Sequence, residues 1–494
     1  MVTLGIELCD EGVLAFTKQD GKEGALLKLE EDALASPGYI YQRNATSFVC
    51  GEAAERLSKL YPLDSACNFW ERLSLKTSEL TGKEDIPLFS ELAYHHLKYI
   101  WERVQALVPS IGKVAFAVPS TYLQEDSDRE EKIGLFLGMA ADLKLPLVGI
   151  LDMACASLLT QLKTITLPET GFLHIDIHQD TTLINLLKLR DGLLEQQNAF
   201  FLPRLGYTHI LQKLTEKLAH QFLYQTAFDV TEDRKIEQTF FQKSKNLLAL
   251  SNLKSENVLE LDDLGRTRQI STSREDIVTA LQDFSQTIVT ALCRVAHNTG
   301  SSKSPLGHVI LSERAARLPG LEEQLREADL IPILKLKAGT AAEGAADYGQ
   351  SQPLVESLEV VPLVSSINVG KTSISKEESH PQIGTKVVEG PTPSHIVLEG
   401  IAYPILSEGF WIGAPPLGDR GGLSLAAKAQ NAEIEIPVRL YWNGNTLKVA
   451  REFPSGLLLN GFALEAEAKL EVGDTLTLTF EQKELHFLLI HCSS

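Results

Sequence analysis

The sequence predicts an α/β protein: mixed sheets covered by helices, built twice over around a central hairpin, followed by a smaller all-β sandwich. Three observations predict it. Through the first 350 residues, apolar runs that fold back on their sequence neighbours alternate with strand–helix units, the pattern of mixed, helix-covered sheets. Residues 366–394 are polar, rich in Ser, Lys, Glu, Gly and Pro, with little periodicity, which predicts a linker. From His395 onward, short alternating runs separated by Gly, Asn and Asp turns predict a sandwich of about a hundred residues. The resulting division is 1–350, a linker over 351–393, and 394–494.

Taken in order, Val2–Leu8 and Val13–Thr17 form a first hairpin, and Ser36–Tyr41 and Thr46–Val49 short strands before a helical GEAAERLSKL. Leu92–Leu107 is an amphipathic helix, Val114–Val118 a buried strand ended by Pro119, and Asp128–Leu143 a helix. Leu147–Asp152 is a strand feeding the small-residue helix ACASLLTQL. The central hairpin pairs Phe172–Ile175 with Thr182–Leu187. Helices follow over Gly206–Phe222, Glu232–Ala249 and Arg274–Asn298, with a hairpin, Asn257–Leu261 and Arg268–Ser271, between the last two. Gly307–Leu311 and Ile331–Lys335 are strands, Pro319–Ala328 and the Ala-rich Thr340–Tyr348 helices.

The 494 residues are 44% hydrophobic and 22% charged, the balance of a soluble globular protein too long for one core. A net charge of −19 argues against a surface built for nucleic-acid phosphates. The six cysteines lie far apart in apolar runs with no C-x-x-C, reading as buried thiols in a reducing compartment. MVTLGIELCDEG has no signal-peptide pattern, and no run of about 18 apolar residues occurs; a cytoplasmic protein without membrane insertion is expected.

At the mouth of the central hairpin stand Asp176 and Thr181, bracketing Ile177, His178, Gln179 and Asp180. This frame resembles the second phosphate loop of the sugar-kinase, actin and heat-shock chaperone ATPase superfamily. The resemblance extends along the first 350 residues to the nucleotide-binding domain of DnaK-type (heat-shock protein 70 family) chaperones. It is carried by GIELCDEGVLAF, SPGYIYQRNATSFVCGEAAERLSKLYPLDSACNFWERL, VAFAVPSTYLQEDSDREEKIGLFLGMAADLKLPLVGILDMACASLL, HVILSERAARLPGLEEQL and GTAAEGAADYG. It implies an actin-like, two-lobed ATPase fold. LEVVPLVSSI resembles the apolar linker that leaves the chaperone domain. EGFWIGAPP and SGLLLNGFALEAEAKLEVGDTLTLTF resemble a forkhead-associated (FHA) domain.

Polyphosphate in that ATPase fold is held by bare backbone N–H groups in glycine turns. Here side chains stand in those places. Glu7 replaces the family's Asp; Cys9, Asp10 and Glu11 occupy the first loop; His178, Gln179 and Asp180 occupy the second. Gly206 is kept but Tyr207 follows it, and Glu313 and Arg314 stand where the adenosine segment has a glycine pair. Glu71 falls where the chaperones carry a catalytic lysine. Asp176 is kept as a residue that could orient a metal's waters, Asp152 as an acid for attacking water, and Lys245 at the adenine clasp, beside Asn246 in place of Arg. A carboxylate about 4 Å from one phosphate charge costs about 4 kcal/mol at an effective dielectric near 20. Asp10, Glu11, Glu71 and Asp180 could all point into the phosphate pocket, and even two uncompensated contacts would offset most of a micromolar binding energy, about 8 kcal/mol.

The candidate nucleotide pocket is therefore Glu7, Asp10, Glu71, Asp152, Asp176, Thr181, Gly206, Lys245 and Arg314, read as vestigial. The expectation is a pseudo-ATPase that binds other proteins through both domains as an adaptor or assembly scaffold, with no catalytic residue, metal or cofactor. The alternative is a nucleotide-regulated chaperone-like protein that still binds and hydrolyses ATP, with Mg-ATP or ADP as its ligand. In the sandwich, Ala414 stands where the FHA family has Arg and no Ser-Arg-x-His segment precedes Leu440, so phosphopeptide binding is not expected; Asn460-Gly461 and Gly473-Asp474 also serve as plain turns. NVGKTS ends like a P-loop, but Ser365 stands at its first glycine and no helix pattern follows. His95, His96, His178 and His209 lack metal-ligand spacing.

Overall fold

A computed structural model describes residues 1–19, 21–31, 33–78, 80, 85–124, 128–162, 171–190, 192–250, 252, 254–263, 266–299, 306–330, 332–354 and 361–368 of the first part of the chain. In the last part it describes residues 393, 395–398, 401–405, 410–412, 422–423, 438–443, 446–449, 457–459, 462–463, 468–470, 474–480 and 483–490. The chain divides into two compact units, Met1–Thr385 and Lys386–Ser494.

In the first unit, β1 (Val2–Glu7), β2 (Leu14–Gln19) and β3 (Ala25–Leu26) form a meander. A small sheet of β4 (Tyr39–Asn44), β5 (Ser47–Cys50) and β6 (Ser65–Cys67), with the one-turn α1 (Glu52–Glu55), precedes α2 (Phe89–Leu107). Then come β7 (Ile111–Val118), α3 (Arg129–Asp142), β8 (Leu147–Asp152) and α4 (Met153–Gln161). β7 and β8 join β1 in parallel. Their near-continuous apolar runs suit strands covered on both faces.

The second half repeats the plan. β9 (Gly171–Ile177), β10 (Thr181–Arg190) and β11 (Leu193–Pro203) form an antiparallel meander, with Leu183 opposite Asp176. The helices α5 (Tyr207–Thr226) and α6 (Arg234–Leu250), the hairpin β12 (Glu256–Asp263) and β13 (Arg266–Ser273), and α7 (Arg274–Thr299) follow. β14 (Leu306–Leu311), α8 (Glu313–Ala316), α9 (Leu321–Glu327), β15 (Ile333–Lys335) and α10 (Thr340–Ser351) complete it. β14 pairs β9 and β15 in parallel.

The two sheets read β3-β2-β1-β7-β8 and β11-β10-β9-β14-β15: in each, a three-stranded meander extended by two parallel strands. Each half has its own apolar core, and a third cluster lies between the sheets, where α4 and α10 meet through small residues. A Cβ at Gly344 would lie 1.9 Å from the Ala156 carbonyl oxygen, so only glycine permits that crossing.

Composition placed a linker over 351–393; part of that segment is sheet. Leu363–Val364 (β16) pairs β8 in parallel, and Ser366–Asn368 (β17) pairs β11 antiparallel. Edge strands leave backbone groups unpaired, and Val361, Val364 and Ile367 anchor this segment by burial. The expected long helix after Gly51 is only Glu52–Glu55, and β11, eleven residues long, had no counterpart in the sequence reading.

In the second unit the described strands run from His395–Leu398 to Lys483–Ile490 in a six-stranded and a five-stranded sheet. Ile396, Leu476 and Phe487 of one and Val438, Leu440 and Leu447 of the other close into one core, as two facing sheets require. Ala414, Asn460-Gly461 and Gly473 lie outside the described residues. Asp474 is a buried residue whose carbonyl accepts from Leu489 N–H at 2.9 Å.

Candidate functional site

β1 and β9 hold matching places in the two sheets, and each carries an acidic residue at its C-terminal end: Glu7 is the last residue of β1 and Asp176 the last but one of β9. The cation that meets them comes from α8. Ser312 caps that helix, its Oγ accepting from Ala315 N–H at 3.0 Å, and holds Arg314 at the first turn. The Arg314 guanidinium donates Nε to Asp176 Oδ1 at 3.0 Å and Nη2 to Asp176 Oδ2 at 2.7 Å, a two-pronged pairing. Its remaining fork atom, Nη1, donates to Glu7 Oε1 at 2.6 Å. Nη2 also touches Met153 Sδ at 3.3 Å. All three charged side chains are buried. The guanidinium thus ties the two sheets together.

A second group adjoins the first through His178. Its Nε2 lies 3.1 Å from Asp176 Oδ2, and its Nδ1 lies 3.5 Å from Cys9 Sγ and 3.9 Å from Glu71 Oε1. Asp10 turns back on its own lobe, accepting from Trp70 N–H at 3.0 Å and Glu71 N–H at 2.7 Å. Asp180 accepts from Asn68 Nδ2 at 2.6 Å, and Asn68 adopts φ 66°, a conformation asparagine tolerates well.

The electrostatics follow from burial and partners. Burial raises the Asp176 carboxyl, but Arg314 and His178 outweigh it and hold the pKa well below the usual range. Glu7 shares the same guanidinium yet is raised, because burial outweighs a single charged N–H and Asp176 adds repulsion. Burial opposes charge on His178, but Cys9 and Asp176 prevail and hold it well above the usual histidine value. Burial and the Glu71 charge push Asp10 up to about 8 against the pull of two backbone N–H groups. Glu71 is raised by burial, with the His178 charge acting against it.

The second loop is closed upon itself and upon α5. His178 N–H donates to the Thr181 carbonyl at 2.8 Å. The carbonyls of Asp180, His178 and Gln179 accept from the N–H groups of Gly206, Tyr207 and Thr208 at 3.1, 2.8 and 2.9 Å. A helix N-terminus ordinarily offers such amides to an anion; here main-chain carbonyls take them. A Cβ at Gly206 would lie 2.3 Å from the Asp180 carbonyl carbon, so this glycine serves loop packing.

Beside Arg314 remains a cavity of about 20 Å³, lined also by His174 and Thr340. That holds about one water molecule. Both ring nitrogens of His174 lack a hydrogen-bond partner, and burial lowers its pKa to about 4, leaving a neutral imidazole.

The structure brings Glu7, Asp176 and Arg314 into one ion cluster, places Asp10 and Glu71 in the group beside it, and uses Thr181 and Gly206 through their backbones. Asp152 stands apart as the N-cap of α4, accepting from Cys155 N–H at 3.0 Å. Lys245 lies apart from the cluster and pairs with Glu55, while Gln238 Nε2 donates to the Glu55 carbonyl at 3.1 Å. Arg317, 3.5 Å from Glu11, adds a further link between the halves. Sequence reasoning treated His178 and Cys9 as glycine replacements, a histidine without metal-ligand spacing and a buried thiol, and did not join them. The signal that could have joined them is that the resemblance assigns them to its first and second phosphate loops.

Among the described residues no group of three or more His, Cys, Asp or Glu side chains is arranged to hold a metal ion, and no helix is long and apolar enough to cross a membrane. The five described cysteines are free thiols. No protein-family model matches the chain, and no curated protein matches it.

Proposed function

We propose that this chain is a pseudo-ATPase: an actin-like, heat-shock protein 70-like two-lobed domain carrying an FHA-like sandwich, and acting as a protein-binding adaptor or assembly scaffold. The observation that carries the reading is the Arg314 guanidinium held between Asp176 and Glu7. By the resemblance, Asp176 is the acid that would orient the waters of a nucleotide-bound metal ion, and Glu7 stands in place of a family Asp. A buried monovalent cation already satisfies them, and a divalent cation beside a guanidinium would meet repulsion.

Three further observations support it. The repeated strand order suits a duplicated two-lobed fold. The α5 amides are consumed by loop carbonyls, and the space beside Arg314 is about 20 Å³, against several hundred Å³ for a ligand of nucleotide size. The residues present do not suit Mg-ATP. The scaffold role is our reading of a frame held by its own charges and joined to a second folded unit.

The test is thermal unfolding and calorimetry of the full chain with millimolar Mg-ATP and Mg-ADP. No shift in midpoint and no heat of binding are expected. Ligand at a hundred times its Kd would add about 2.7 kcal/mol. A rise of that size, or a micromolar Kd, overturns the proposal in favour of a nucleotide-regulated chaperone-like ATPase.

A further inference from the structure

Away from the ion cluster, the first unit carries a groove of about 710 Å³ between the β4–β5 hairpin and the start of α2, within the size range of ligand sites. One wall is aromatic. The Phe48 and His95 rings stack with centroids 4.1 Å apart, and Tyr94 meets His95 edge-on at 5.7 Å, its hydroxyl donating to Asp142 Oδ2 at 2.5 Å. The rim is acidic: Asp85 and Glu91 line the groove and are exposed. The floor holds Gln42, buried to 1% exposure, whose Nε2 donates to the Asp85 carbonyl at 3.2 Å while its Oε1 has no hydrogen-bond partner.

These features share one complement. An aromatic wall, two carboxylates and a spare buried acceptor suit a planar cation that is rich in N–H donors and carries an apolar stem. Guanidinium stacks on rings and offers a fork of donors, whereas ammonium is a compact, strongly hydrated charge. Burial and then the nearby Lys98 lower the His95 pKa, so the imidazole adds no opposing charge near neutral pH. Lys98 is itself the counter-charge that two rim carboxylates outnumber. A chain of net charge −19 favours encounter with a basic partner.

The geometry points to this groove as a receptor for an arginine side chain presented by a basic segment of a partner protein. The inference deepens the adaptor reading by naming what one lobe would hold, and it draws on none of the ion-cluster residues.

The probe is the blocked tripeptide acetyl-Gly-Arg-Gly-amide, followed by saturation-transfer NMR and titration against the full-length protein. Transfer to the arginine methylenes is expected. Asp85→Asn should weaken binding at least fivefold, and Asp85→Lys should abolish it. The peptide with citrulline for arginine keeps the shape without the charge and should bind at least tenfold more weakly. Equal binding of the citrulline peptide, or unchanged binding by the Asp85→Lys variant, overturns the assignment. So does binding of spermidine without the arginine peptide, which would give the groove to a free polyamine. Failure here leaves the Mg-ATP result untouched, and a nucleotide-binding outcome there leaves this groove standing.

Discussion

Replacing Arg314 with alanine deletes three N–H donations to carboxylates and leaves Glu7 and Asp176 buried without their shared cation. Removing one partner of a buried ion pair costs about 3–5 kcal/mol, mostly because the surviving charges stay desolvated. The first unit spans Met1–Thr385. At about 2.1 cal/mol/K per residue its unfolding entropy is roughly 0.8 kcal/mol/K, so the midpoint should fall by about 4–6 °C. The deficit should depend on pH. With the guanidinium gone, Glu7, which burial already raises, is more easily protonated when folded than when unfolded, while Asp176 keeps His178. The variant therefore loses stability as pH rises above about 4 and stands closest to the parent in mild acid. The assay is calorimetric unfolding of both proteins at pH 5.5 and pH 8. A second variant, Arg314→Met with Glu7→Gln, removes one orphaned charge and leaves Asp176 its His178 partner; it should regain at least half of the loss. A drop below about 1 kcal/mol, or a deficit of equal size at both pH values, would refute the view that this cluster locks the lobes.

The Asp10 carboxyl is raised to about 8, so its contribution is full below about pH 4 and lost as pH climbs through 8; Asp10→Ala should flatten that part of a urea-midpoint profile. Gly344→Ala would drive a methyl into the Ala156 carbonyl and should cost about 2 kcal/mol or more, read as a lowered urea midpoint. Lys245→Met breaks the partly buried pair with Glu55. It should cost about 1–2 kcal/mol and speed amide exchange in α1 and α6 ahead of the sheets, whose exchange should hold.

Much of the scaffold was legible because local pattern decides it. β7, β8 and β9 announce themselves as largely apolar runs, and the polar turn between Asp176 and Thr181 marks a hairpin. The edge strands β16 and β17 were not legible, since the groups they satisfy lie over a hundred residues away on β8 and β11. The site divides in the same way. Its acidic residues could be named, but their directions could not. Asp10, Glu11 and Asp180, expected to crowd one pocket, turn to Trp70 and Glu71, to Arg317 and to Asn68. Arg314 stood among the pocket residues, while its partners are 138 and 307 positions distant. No periodicity encodes a contact of that range.

The substitutions make sense as a set rather than one by one. Each acid placed near this space would destabilise the fold alone, since a buried carboxylate without partners is costly. What offsets them stands in the same stretches of chain: Arg314 for Glu7 and Asp176, His178 for Asp176 and Glu71, and the Gln179 and Asp180 amides for Glu71. In our reading, a two-lobed frame that would draw its closure from a bound polyanion and metal draws it here from carboxylates and a guanidinium of its own chain. Closure then no longer depends on ligand concentration, because the charges that hold it are covalently part of the fold. A partner that recognises the closed lobes would therefore find them closed at every nucleotide level. The same logic sets the order of loss under acid. Asp176 is the cluster member whose pKa is held low, so its contribution is full above about pH 4 and drains as the pH falls from there through its depressed folded value, which makes the lock an acid-sensitive element beside apolar cores that carry no such dependence.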